Sequence, residues 1–297
     1  MKFLKNWTLP IAMLVGALGY KVMDYLSFIT PYLIFTMLLL TFSKISLRDL
    51  RPRLSHLYLL IIEIIGAIAI YYLLAPFDPI VAQGMMICII CPTATAAAVV
   101  TGKLGGNVAS ITTYTLLCNI AVAFVIPALF PIIAPSANHT SFWAAFTHIM
   151  GRIFPLLICP FLLAQLIRLT LPKINAKLTS ISGLAFYMWA IALTIAMGMT
   201  VRSLIEELTD THTLILLSLG SLIACLFQFF TGKAIGKATN DTIACGQSLG
   251  QKNTILAIWI CSAYLNPVTA LAPGLYVIWQ NIFNSTQLYL ARKKYLL

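Results

Sequence analysis

The sequence predicts an all-α polytopic membrane protein: ten transmembrane helices in two inverted five-helix repeats, with helices four and nine broken and crossing. Three observations predict it. The chain of 297 residues is 60% hydrophobic and only 9% charged, whereas a soluble domain carries about 25% charged residues. Apolar stretches long enough to span a bilayer recur to the end of the chain, each near the ~20 residues a spanning helix needs. Two of these stretches are interrupted at matching places in the two halves, the pattern of an inverted-repeat membrane fold.

The opening MKFLKNWTLPIAMLVGALGY imitates a signal peptide, with Lys2 and Lys5 before an apolar run. No small-residue cleavage site follows it and apolar segments continue, so it reads as the first span, about 7–23. The second span is expected over 28–43 and the third over 56–75. The third, HLYLLIIEIIGAIAIYYLL, carries Glu63, the one acid of eight that falls well inside a span.

The fourth, 79–102, begins as a good helix and then meets Cys91-Pro92, followed by Thr93, Thr95 and small alanines. Proline removes a backbone donor and disfavours helix at the residue before it. Spans five to eight are expected over 107–132, 143–168, 180–200 and 212–232. Arg152, near the outer end of the sixth, reads as a snorkelling side chain. In the fifth, Thr113 and Thr115 are suited either to a polar site or to bonding their own helix carbonyls.

The ninth, 239–264, breaks at Gly246 and Gly250 amid Gln247, Ser248, Gln251, Lys252 and Asn253. The tenth is expected over 267–290. Irregular backbone inside a bilayer persists only where protein or water satisfies its polar groups. The predicted organisation is therefore an N-terminal repeat, 1–133, a linker loop, 134–141, and a C-terminal repeat, 142–297.

Charge sets the expected orientation. The termini and alternate loops hold fifteen basic residues: Lys2, Lys5, Lys44, Arg48, Arg51, Arg53, Lys103, Arg168, Lys173, Lys177, Lys233, Lys237, Arg292, Lys293 and Lys294. The opposite loops hold Lys21 and Arg202, and the spans hold Arg152 and Lys252. Fifteen against two places both termini in the cytoplasm and the chain in the cell (inner) membrane. The net charge of +11 then reflects topology and attraction to anionic lipid, and nucleic acid is not an expected partner. The seven cysteines all lie in apolar segments, so buried thiols are expected rather than disulfides. The histidines (56, 139, 148 and 212) sit near span ends, with no HExxH and no serine or cysteine triad motif. No catalytic residue, metal or cofactor is expected, and an intramembrane enzyme is disfavoured.

Two stretches, PTATAAAVVTGKLGGNVA (92–109) and SLGQKNTILA (248–257), resemble the bile acid:sodium symporter family at its two crossing helices. The family's fourth-span pattern is Pro-Gly-Gly-Thr-Ala-Ser-Asn, with Lys-Gly-Asn-Val-Ala after the next helix. This chain keeps Pro92, Thr95, Ala96, Thr101, Gly106, Asn107, Val108 and Ala109 at that spacing. The ninth-span pattern, Glu-x-Gly-x-Gln-Asn, falls on Ser248, Gly250, Lys252 and Asn253. The resemblance implies a ten-span secondary transporter of organic anions, bile acids or smaller carboxylates. It also implies sodium-ligand positions, and here the chain departs. The Ser-Asn pair falls on Ala97-Ala98, a fifth-span Ser on Ile111, the Glu on Ser248 and the Gln on Lys252; of the fifth-span pair only Thr115 survives. Such a chain reads as a divergent member without the usual sodium ligands.

Lys252 thus falls on a sodium-ligand position, where its ammonium stands in for the ion. Glu63 is its expected counter-charge, at the place where a third-span glutamine of the family would fall. Thr93, Thr95, Gln247, Gln251 and Asn253 are the expected substrate-binding residues. The helix N-termini at the breaks suit an anion. The expected function is sodium-independent secondary transport of a small organic anion; a sodium- or proton-coupled symporter with a rebuilt ion site, or a channel, are the alternatives.

Overall fold

The hydrophobic runs form helices, and the breakers end them. The computed structural model describes residues 2–134, 141–207 and 210–296. The loop residues 135–140 of the expected linker lie outside the described residues, as do the side chains of Lys2, Lys5, Arg292 and Lys294. In chain order the helices are α1 (Lys2–Leu18), α2 (Tyr20–Tyr25), α3 (Thr30–Phe42), α4 (Leu54–Leu74), α5 (Pro79–Ile90), α6 (Ala97–Lys103) and α7 (Val108–Ile133). There follow α8 (Phe142–Thr170), α9 (Pro172–Ser180), α10 (Leu184–Arg202), α11 (Thr211–Ala238), α12 (Thr242–Gly250), α13 (Thr254–Tyr264) and α14 (Leu271–Leu296). Among the described residues the structure is all helical, without strands.

Six helical stretches among the described residues are long and apolar enough to cross a membrane: Tyr20–Phe42, Leu54–Leu74, Val108–Ile133, Phe142–Thr170, Leu184–Glu206 and Thr211–Ala238. Pro79–Ile90 and Thr254–Tyr264 are shorter apolar helices. The faces of α4 show how the chain meets lipid. Leu57, Tyr58, Ile61, Ile65, Tyr72 and Leu73 point outward, while Ser55, His56, Glu63 and the small Ala67 point inward with Leu59. A water-soluble helix has the opposite polarity.

Several expected boundaries are corrected. The first expected span, 7–23, is interrupted after Leu18, and a continuous apolar stretch runs from Tyr20 to Phe42 through a 3₁₀ turn at Leu26–Ile29. Residues 172–180, read as loop, are the helix α9, because Pro172 stands at its first position, where a missing N–H costs nothing. Lys233 and Lys237, assigned to a loop, belong to α11, which continues to Ala238. None of the seven cysteines is in a disulfide, but Cys159 is only half-buried.

The chain folds into two compact units, each with segments from both sides of the 134–141 loop. The first comprises Met1–Leu47, Ala123–Thr209 and Ile258–Leu271. Here α1 and α2 lie on α10, and Arg202 at the end of α10 reaches Asp24 at 2.6 Å and Glu206 at 2.8 Å. Beyond α3, the carbonyls of Ser43 and Ile45 accept hydrogen bonds from Arg168 and Gln165 of α8, partners that a helix end needs.

The second unit comprises Arg48–Val122, Asp210–Ala257 and Ala272–Leu297, and it holds both broken helices. Gly232 and Gly236 stand four apart on α11 where α12 packs against it. A Cβ at Gly236 would lie 2.5 Å from Thr242 Cα and 2.6 Å from the Asp241 carbonyl. Small residues at this spacing let two helices touch backbone to backbone.

Candidate functional site

The site grows out of the two breaks. Asp78 caps α5, accepting from the N–H groups of Ile80 and Val81, with Pro79 at the first position. The helix then runs to Ile90 and stops, because Cys91 turns extended (φ −59°, ψ 138°) ahead of Pro92. On the other side α12 stops at Gly250, and Gln251 turns extended (φ −98°, ψ 94°).

The extended pieces meet antiparallel. Ala94 N–H donates to the Gln251 carbonyl and Asn253 N–H to the Pro92 carbonyl, each at 2.8 Å. Thr93 and Lys252 face one another across this bridge. Helix ends inside a membrane leave carbonyls that need donors, and side chains supply them. Thr93 Oγ1 donates to the Ser248 carbonyl at 2.6 Å, Tyr276 Oη to the Gly250 carbonyl at 2.9 Å, and Gln228 Nε2 to the Cys88 carbonyl at 3.1 Å. The N–H of Lys252 is taken by Gln280 Oε1 at 2.9 Å.

Lys252 and Glu63 come together. Lys252 Nζ lies 2.9 Å from Glu63 Oε1, and both residues are 1% exposed. Glu63 has two further partners: Tyr114 Oη donates to Oε2, and Cys118 Sγ donates to Oε1 at 3.1 Å. The carboxylate is therefore held from three sides. The ammonium is not: its approach to Glu63 is out of line for a hydrogen bond, and no other partner takes Nζ among the described residues. Lys252 also stands just beyond the C-terminal end of α12 and opposite the segment that follows α5, where the helix dipole favours a cation.

The expected substrate residues divide. Thr93 is buried with its hydroxyl committed to Ser248. Asn253 Oδ1 accepts from Leu256 N–H and so caps α13. Gln247 Nε2 donates to Asn284 Oδ1 at 2.9 Å. The side-chain oxygens of Gln247 and Gln251 are buried without a hydrogen-bond partner among the described residues. Thr95, in the bend between α5 and α6, is half-buried.

The positions that the resemblance associates with sodium hold no open cage. Ala97, Ile111 and Ala244 pack into one buried apolar cluster with Ala98 against it. Thr115 Oγ1 donates to the Ile111 carbonyl of its own helix at 2.8 Å, and Thr113 Oγ1 donates to Ala109 likewise. Among the described residues no three His, Cys, Asp or Glu side chains gather in a way that would hold a metal ion.

Sequence reasoning missed Tyr114, Cys118, Tyr276, Gln280 and Asn284. A signal was present: Tyr114 and Cys118 stand four apart on the fifth span, and Tyr276, Gln280 and Asn284 recur every four residues on the tenth. Polar groups at that period share one helix face.

No curated protein matches the chain. The model of the SBF-like CPA transporter family matches residues 53–293, a range that contains every element of this crossing. Its members are transporters rather than enzymes, and together with the apolar helices it makes this a multi-pass membrane protein. With two broken helices and a buried charge pair inside the matched range, the extent of the match shows that the chain belongs to the SBF-like CPA transporter family.

Proposed function

We propose that this protein carries a small organic anion, bile-acid-like or another carboxylate, by alternating access and without sodium, Lys252 standing in the place of a bound sodium ion. The observation that carries the reading is the buried Lys252–Glu63 contact at the junction of two broken helices. Intramembrane charges mark functional sites by default. An ammonium repels a second cation, and the neighbouring ligand positions are filled by Ala97 and Ile111. The substrate anion is assigned to the bend itself, where Thr95 and Gln251 offer polar side chains beside the positive N-terminal end of α13. Ser248 and Thr115 belong to the displaced ion site, and Pro92 and Gly250 mark the breaks.

The proposed architecture is ten spans in two inverted halves, 1–133 and 142–297, in the inner membrane with cytoplasmic termini. The antiparallel run of 92–94 against 251–253 supports the inverted arrangement, and the basic residues support the orientation. A cysteine introduced at Ser136 in a cysteine-free background is expected to react with an impermeant maleimide added outside whole cells. Labelling from the cytosolic side alone would overturn the topology.

Transport is tested in proteoliposomes with radiolabelled carboxylates and sulfonates, first ranked by thermal stabilisation of the purified protein. Saturation and counterflow are expected of a carrier; flux that never saturates marks a channel. Uptake is expected to be the same in sodium, potassium and choline at constant ionic strength. A saturable sodium requirement would replace this reading with a symporter whose ion site is rebuilt from other groups.

A further inference from the structure

The buried faces of α4 and α7 carry a polar stripe. On α4 it comprises His56 and, seven residues on, Glu63, a separation of ~10 Å along the axis. On α7 it comprises Ser110, Tyr114 and Cys118, four residues apart and so on one face. His56, Ser110, Tyr114 and Glu63 are all buried. His56 Nε2 lies 2.9 Å from Ser110 Oγ, the rings of His56 and Tyr114 are 6.0 Å apart, and Tyr114 Oη donates to Glu63. Where α4 begins, the stripe meets charge: Arg53, next to α4, lies 3.4 Å from Asp241, the residue before α12.

The tautomer of His56 follows from its partners. Nδ1 accepts the N–H of Arg53 at 3.2 Å, so the neutral ring carries its proton on Nε2 and donates to Ser110 Oγ. The ring thus turns its acceptor, Nδ1, toward the charged end and its donor, Nε2, toward the interior, the orientation of a relay.

We infer that this stripe is the proton route to Glu63, with His56 as the relay residue at its mouth. The inference rests on the proposed reading that Lys252 stands in the place of sodium with Glu63 as its counter-charge, and deepens it by making the proton the coupling ion. A proton arrives at Nδ1 as the Arg53 N–H lets go, and the Nε2 proton passes to Ser110 Oγ. The rings of His56 and Tyr114 are 6.0 Å apart, and the route takes one water between Ser110 Oγ and Tyr114 Oη. That water takes the proton from Ser110 and gives one to Tyr114, which passes its phenolic proton to Glu63. Protonated Glu63 no longer attracts Lys252, whose ammonium has no hydrogen-bond partner among the described residues and is freed to meet an anion. The other ionisable groups around the route are Arg53 at the start of α4, Asp241 and Cys245 of the α12 segment, Cys118 on α7, Lys252, and Tyr276 on α14. Cys88 and Cys225 border Tyr276.

The test needs no substrate. Proteoliposomes on a solid-supported membrane are given a pH jump in sodium-free buffer, and the transient charge displacement is recorded. Wild type is expected to show a displacement that Glu63→Gln abolishes. His56→Gln and Ser110→Ala are expected to keep its size but slow it, His56→Gln by about 10²-fold. Ser110→Ala removes a single hydroxyl and guards against a folding defect at His56. A wild type with no displacement, a displacement that survives Glu63→Gln, or unchanged rates in both relay variants would each overturn the route. A sodium jump at fixed pH separates this from the underlying reading. A saturable sodium response beside an intact pH response would end the sodium-independent function and leave the route standing.

Discussion

Glu63→Gln is expected to destabilise the protein by about 3–5 kcal/mol, because it strands a buried ammonium without its counter-charge. The surroundings make the loss one-sided. Lys252 is buried with the Glu63 carboxylate 2.9 Å from its Nζ, which makes no hydrogen bond among the described residues. Glu63, in contrast, keeps Tyr114 and Cys118 when the lysine is removed. Lys252→Gln should therefore cost less than Glu63→Gln. The double change leaves no lone charge and restores the residue types that the family resemblance implies at both positions, so it should recover much of the loss. Thermal unfolding in detergent, followed by tryptophan fluorescence, reads all four proteins. Strictly additive losses would show that the two residues do not act as a pair, and Lys252 would then be read as a direct contact for the substrate anion. Recovery of stability need not bring recovery of transport, since the anion would lose its cation.

Gly250→Ala is expected to cost about 1–3 kcal/mol, as overpacking of a full core does, and Gly250→Val more. A Cβ at this position would lie 2.2 Å from Cδ1 and 2.3 Å from Cγ of Phe229. That ring is fully buried and stacked on Phe283 at 4.2 Å between centroids, so it cannot swing away. The change also presses on the segment that carries Lys252, two residues on. Phe229→Ala combined with Gly250→Ala should be more stable than the sum of the separate losses predicts, because the larger cavity accepts the new methyl group. Equal stability of Gly250→Ala and wild type in the same unfolding assay would refute the steric account.

The breaks were legible because proline and glycine act locally. Pro92 ends α5 through its own missing donor and its clash with Cys91, whatever surrounds it. The Glu63–Lys252 contact was legible for a different reason: a charge inside a span needs an opposite one, and the chain offers one acid at depth. Tyr114, Cys118 and Gln280 were not found because single polar residues four apart barely change the apolarity of a 26-residue helix. Their partners become visible only when α4, α7 and the 251–253 bend are side by side. The two-unit division was equally hidden, since it joins segments far apart in sequence. Thr93 and Asn253 suit a ligand chemically, and the sequence alone did not reveal that a helix end takes the hydroxyl of one and the amide oxygen of the other.

The bridge between 92–94 and 251–253 has one more consequence. Its two shortest links, Ala94 to Gln251 and Asn253 to Pro92, run from main chain to main chain. They do not depend on which side chains those residues carry. An exchange of carboxamide for ammonium at 252 changes the chemistry of the junction without removing either link. Charge at the crossing and the joint that holds it are thus set by different parts of the same segment, the side chain for one and the main chain for the other.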